Sequence, residues 1–270
     1  IGVVVNDNEK YEGRVLEDGF VMASINALSH EVNEKGYFLM IKTTSDISEI
    51  PVFASMWNMD GLILMGFCEA DYEKLRNQMR ISFVVYDGYF EKCSKVVNLV
   101  INHYDGGYQA GRYFRELGHK KALCIADNFI CMDKERIEGF SEAFGPGETL
   151  RWKIPRTEKE RMRFYEDKYQ ALLEKNVTAV FAVSDFYALE FIRFLQGKNI
   201  RIPKDIQIIG FDDNMASRES HPSLTIIHQE ASLRAETAIK CLEAMRDGAE
   251  CETEIVLPVE LIKRESTGEL

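Results

Sequence analysis

Two carboxylates and an amide, Asp212, Asp213 and Gln229, stand at the ends of two short apolar runs in IQIIGFDDNMASRESHPSLTIIHQ, residues 206–229. The first run is β-branched, passes through Gly210 and delivers the acids; the second, Leu224 to His228, delivers the amide ahead of a helical pattern. Strand ends of an open parallel sheet line its ligand crevice, so an acid and an amide placed there can grip a polar small molecule. Capping a turn is the plainer use of such acids, and one of the pair fits it.

Other chemistries find no foothold. There is no GxGxxG or GxxxxGK[ST] phosphate cradle, no GxSxG elbow and no HExxH pair, and Gly106-Gly107 lacks the spacing of either cradle. Acid pairs abound in a chain of net charge −11, so they do not identify a glycosidase dyad. We therefore expect no enzyme and no cofactor. The five histidines show no metal-binding spacing, and no metal is expected. Six scattered cysteines without a CxxC pair fit free thiols in a reducing cytosol. The acidic balance argues against this chain gripping nucleic acid by itself, since phosphate neutralisation needs a concentrated basic surface.

Residues of these types need a scaffold, and the pattern supplies one. With 270 residues and 46% hydrophobic content the chain suits two lobes better than one. Strand-like runs at 1–5, 37–41, 61–65, 82–86 and 96–101 alternate with helical spacings. A second series follows: helix 108–117, strand 121–126, helix 134–144, strand 150–154, helix 159–175, strand 179–183, helix 187–196 and strand 206–209. Such alternation implies α/β architecture, with parallel sheets covered by helices on both faces. No run approaches membrane-span length, and Ile1 opens a strand with nothing ahead of it that reads as a signal peptide.

Gly210-Phe211-Asp212-Asp213, Pro222 to Thr225 and Gln229 together resemble the lactose-repressor family of bacterial transcription regulators, in their effector-binding domain. Further pieces fall in the family's order: Asp60 to Leu64, Tyr86-Asp87, Leu117 to Lys121, Arg136 to Phe140, Ser184-Asp185, Ile202-Pro203 and the closing Arg264 to Gly268. The resemblance spans the whole chain. It implies two doubly wound parallel-sheet lobes of the periplasmic-binding-protein-like type I fold with a ligand cleft between them, the chain crossing between lobes three times. Residues 1–103 plus 230–251 would form one lobe and 104–229 plus 252–270 the other. It further implies a cytoplasmic homodimer that binds a sugar or sugar derivative and reads operator DNA only through a helix-turn-helix domain missing from this chain. A periplasmic sugar-binding protein of the same fold is the alternative, and an α/β enzyme acting on a sugar a weaker one.

The resemblance also assigns residues. Asp87, Arg136, Asp212 and Gln229 match cleft positions; Arg136 stands in the family's RxxGF setting at a helix start. The family often has Arg after the acid equivalent to Asp87, whereas Gly88 follows here, which puts one hydroxyl contact in doubt. Ser184 replaces the family's usual Asn, so it can cap its helix while its ligand contact is open. Asp18 and Phe20 are candidates in a first loop, residues 6–17, that is longer than the family's common form, with core packing the alternative for Phe20. An apolar stripe of Ala231, Ala235, Ala238, Ile239, Leu242 and Met245 serves core packing, with an outward share available to a dimer.

Overall fold

Alternation of buried strands with half-buried helices builds two α/β units in the structure, a computed structural model that describes residues 1–11, 13–67, 69–88, 96–145 and 149–268. The first unit comprises Ile1–Ile101 and Glu230–Leu257, the second Asn102–Gln229 and Pro258–Leu270. Cys68 and Cys93 lie outside the described residues; Cys124, Cys131, Cys241 and Cys251 are free thiols.

The first unit opens with β1 (Gly2–Asn6), α1 (Gly19–Glu34), β2 (Met40–Thr44), α2 (Glu49–Met56), β3 (Leu62–Met65), α3 (Glu69–Gln78), β4 (Phe83–Tyr86) and β5 (Val96–Ile101). The second runs through α4 (His103–Glu116), β6 (Ala122–Ala126), α5 (Cys131–Phe144), β7 (Thr149–Lys153), α6 (Glu158–Glu174), β8 (Ala179–Ala182), α7 (Asp185–Gly197), β9 (Gln207–Asp212), α8 (Met215–Glu219) and β10 (Thr225–Gln229). The chain then returns for α9 (Ala231–Arg246) and β11 (Glu254–Leu257), and closes with β12 (Val259–Ile262).

Each unit holds one six-stranded sheet, ordered β11-β5-β4-β3-β1-β2 in the first and β12-β10-β9-β8-β6-β7 in the second. All pairings are parallel except β10 with β12, which is antiparallel; β12 enters from the other unit instead of through a crossover helix, so nothing holds it parallel. In the first sheet Leu62, Leu64, Phe83 and Val85 pack with Ile50, Tyr72 and Leu75 on one face. Alternation sends Ile63, Val84 and Tyr86 to the other face. The second unit's core is aromatic, with Phe140 stacked on Phe181 at 5.0 Å between ring centroids.

Three differences from the sequence reading have physical causes. Residues 254–257, expected in the second lobe, pair in parallel with β5 (Glu254↔Asn98 through Leu257↔Ile101) and belong to the first unit, while Asn102 and His103 belong to the second. Helix α4 begins at His103 instead of residue 108, because the Asn102 side chain caps it by accepting from the Asp105 N–H, and Gly106-Gly107 lie inside it. The stripe on α9 is spent inward: Ala235, Ala238, Ile239 and Leu242 are buried, while Ala231 and Met245 are half-buried.

Candidate functional site

In the second unit the glycines of α4 and α5 set the position of Arg136. A Cβ on Gly107 would lie 1.9 Å from the Arg136 carbonyl oxygen, and one on Gly139 2.0 Å from that of Tyr104, so the two helices touch backbone to backbone. Arg136 lies in the second turn of α5, since that helix starts at Cys131 and not beside Arg136 itself. Its guanidinium is buried, with Cζ 3.6 Å from the centroid of the Phe211 ring. Nε donates to Nδ1 of His103 at 3.1 Å, one terminal nitrogen donates to the Val183 carbonyl, and the other lies 3.8 Å from Asp212 Oδ1. The acceptor role requires an unprotonated Nδ1 on His103. Gln229 Nε2 donates to the same Asp212 oxygen at 2.7 Å.

Asp212 takes this place through an unusual backbone. Its φ is 102° and that of Asp213 is 72°, a left-handed region that side chains with a Cβ seldom adopt. Two groups enforce the turn. Asp185, buried at the start of α7, accepts the Asn214 N–H at 2.9 Å, and Asp213 is gripped by Arg264 at 2.7 Å, His228 at 2.9 Å and Arg218 at 3.3 Å. Backbone strain of this kind persists where the surroundings over-determine it, and it collects at ligand sites.

The first unit carries a matching cluster. Asp87 follows β4 with φ of 53°, and Asn98 fixes the turn by exchanging hydrogen bonds with both backbone groups of Gly88, at 2.8 and 2.7 Å. Arg234, in the first turn of α9, lies 2.9 Å from Asp87 Oδ2 and donates to the Leu99 carbonyl at 2.8 Å. Its Cζ is 4.1 Å from the Tyr86 ring centroid and 5.8 Å from that of Phe20. Burial pushes the Tyr86 phenol up, against the opposing pull of Arg234.

The structure thus brings Arg136, Asp212 and Gln229 together in one unit, and Asp87 with Phe20 around Arg234 in the other. The Asp18 side chain accepts from the Phe20 and Val21 N–H groups and caps α1, while Ser184 caps α7 by accepting from Tyr187 N–H. Sequence reasoning missed His103, Asp185 and Arg234. Arg234 alone left a sign, a cation amid the apolar positions of α9. Among the described residues no group of three or more His, Cys, Asp or Glu could hold a metal ion, and no helix is long and apolar enough to cross a membrane.

Two doubly wound sheets with strand-end clusters define a periplasmic-binding-protein-like domain, and the family model described as "Periplasmic binding protein-like domain" matches residues 112–267. The chain belongs to the lactose-repressor family of transcription regulators. It is 30% identical over 257 residues to the HTH-type transcriptional repressor PurR of Pasteurella multocida, covering 90% of this chain and 75% of that protein. It also resembles the fold of a LacI family transcriptional regulator from Enterococcus faecium with bound ribose, at a TM-score of 0.82 and 21% identity over 100% of both chains. A transcriptional regulator CelR–cellobiose complex is similar at a TM-score of 0.81 and 21% identity, over 98% of this chain and 84% of that one.

Proposed function

We propose that this chain is the effector-sensing part of a cytoplasmic transcription regulator and that its effector is a sugar or sugar derivative. Asp87, Arg136, Asp212 and Gln229 are its polar contacts, and Phe20 supplies an apolar ring. Asp18 and Ser184 serve chiefly as helix caps, with any ligand contact secondary. Operator DNA is read by a helix-turn-helix domain outside these residues, in a homodimer.

The observation that carries this reading is the Arg136–Asp212–Gln229 cluster at the strand ends of the second sheet. It offers guanidinium and amide donors beside a carboxylate acceptor, which is what neighbouring hydroxyls require. Leaving one such buried group unpaired costs about 1–3 kcal/mol, so a few residues suffice for selectivity. An effector that binds one conformation of the domain better than others shifts the population towards it, and control of DNA binding follows from that shift. No reaction is assigned to the site.

A thermal-shift screen against sugars, nucleosides and amino acids tests the proposal. A ligand at a hundred times its Kd adds about 2.7 kcal/mol to the folded state, so a sugar that binds must raise the melting temperature. A rise with nucleosides or amino acids alone would overturn the carbohydrate class while leaving the sensing role.

A further inference from the structure

The two clusters share a plan that their sequences conceal. In the strand orders given above, β4 and β9 hold the same place in their sheets, third from the β11 and β12 ends respectively. At the end of each an aromatic residue precedes an aspartate of positive φ, Tyr86-Asp87 after β4 and Phe211-Asp212 closing β9. Over each aromatic ring lies one arginine, whose guanidinium also meets the aspartate and a backbone carbonyl beside a neighbouring strand. The arginines do not correspond in the chain. Arg136 comes from the helix after β6, and Arg234 from the helix after β10.

Stability does not account for Arg234. A cation in the first turn of a helix opposes the helix dipole, and a buried ion pair is commonly no better than apolar residues of the same volume. The second unit shows what a structural arginine looks like: Arg161 forms a two-pronged pair with Glu190, 2.8 Å at each prong, joining α6 to α7. Arg234 meets Asp87 at Oδ2 and also lies over the Tyr86 ring and against the Leu99 carbonyl, three contacts that together fix where the carboxylate stands. Both partners are buried, with side-chain exposures of 2% for Arg234 and 6% for Asp87.

We propose that Arg234 is a positioning residue that sets effector specificity by fixing Asp87, so that the first unit presents a carboxylate backed by a guanidinium to two neighbouring hydroxyls of a carbohydrate. A hydroxyl donates one hydrogen bond and accepts others, so an acceptor beside fixed donors matches a vicinal diol and rejects its deoxy analogue. The inference rests on the carbohydrate reading above and adds a residue and a chemistry to it.

The test uses titration calorimetry with D-ribose, D-glucose, D-galactose and cellobiose, taking the tightest binder as probe, on the wild type, Arg234→Lys, Asp87→Asn and the double variant Asp87→Asn/Arg234→Met. Lysine keeps the charge but cannot hold the carboxylate, the Leu99 carbonyl and the ring at once, so Arg234→Lys should weaken the probe by about tenfold at an unchanged fold. The double variant buries no charge and stays informative if the lysine variant fails to fold. Its affinity should equal that of Asp87→Asn, because Arg234 acts through the carboxylate already removed. A lysine variant with wild-type affinity, or a double variant clearly weaker than Asp87→Asn, overturns the inference and leaves the carbohydrate reading intact. A wild type that binds none of the four sugars overturns both.

Discussion

Burial alone would push the Asp213 carboxyl up, but hydrogen bonds from His228 and Arg264, with the charges of Arg264 and Arg218, hold it down at about 2. A depressed folded-state value means that this carboxylate stabilises the fold above its ordinary 3.8 and that the contribution is lost as pH falls from 3.8 towards about 2. Asp213→Asn should therefore lower stability at neutral pH by about 3–5 kcal/mol, the usual cost of breaking a buried charged network. It should also flatten the acid limb in that interval. Melting curves of the two proteins from neutral pH to pH 2 decide this; Asp205, likewise held at about 2, titrates in both and cancels. Its neighbour Asp212 has Gln229 and Arg136 as partners, and it is Asp212 that the proposed function assigns to the effector. That one of the two acids serves a turn was legible in the sequence. The arginine on Asp87 was not, because Asp87 and Arg234 are brought together by the fold from distant parts of the chain, and no local pattern encodes their meeting.

At the scale of elements, most strands and helices were legible from apolar periodicity, while their ends were not. The start of α4 was misread because glycines are poor helix formers, yet Gly107 serves the approach of α4 to α5, and Gly106 makes room for Phe211 and Ile227. Periodicity reports a helix's own faces and cannot report how near another backbone will come. Gly107→Ala tests the point. Its added methyl would meet the Arg136 carbonyl, a backbone atom that cannot rotate away, so the helices must part. Urea denaturation should show a loss of about 1–3 kcal/mol or more, well beyond the gain in helix propensity of up to about 1 kcal/mol. A variant as stable as the wild type would mean that the pair separates at no cost.

At the scale of the whole molecule, the outward share of the α9 stripe is confined to the half-buried Ala231 and Met245, and more exposed apolar side chains lie elsewhere in the first unit. Phe38 is 87% exposed, edge strand β2 adds Ile41, and helix α2 adds Val52 and Met56, with Trp57 just after it. An unpaired edge carrying such side chains is a surface that proteins normally cover. Light scattering at micromolar concentration should report roughly twice the chain mass, as a two-fold assembly requires. Phe38→Asp combined with Trp57→Asp should return it to one; a wild-type monomer at every concentration would remove the homodimer from the proposal. The three crossings of the chain bear on its synthesis. Five of the six strands of the second sheet precede α9 in the sequence, so a ribosome releases them before it makes the helix that carries Arg234. The first unit thus holds Asp87 without its arginine until those five strands of the second sheet have been made.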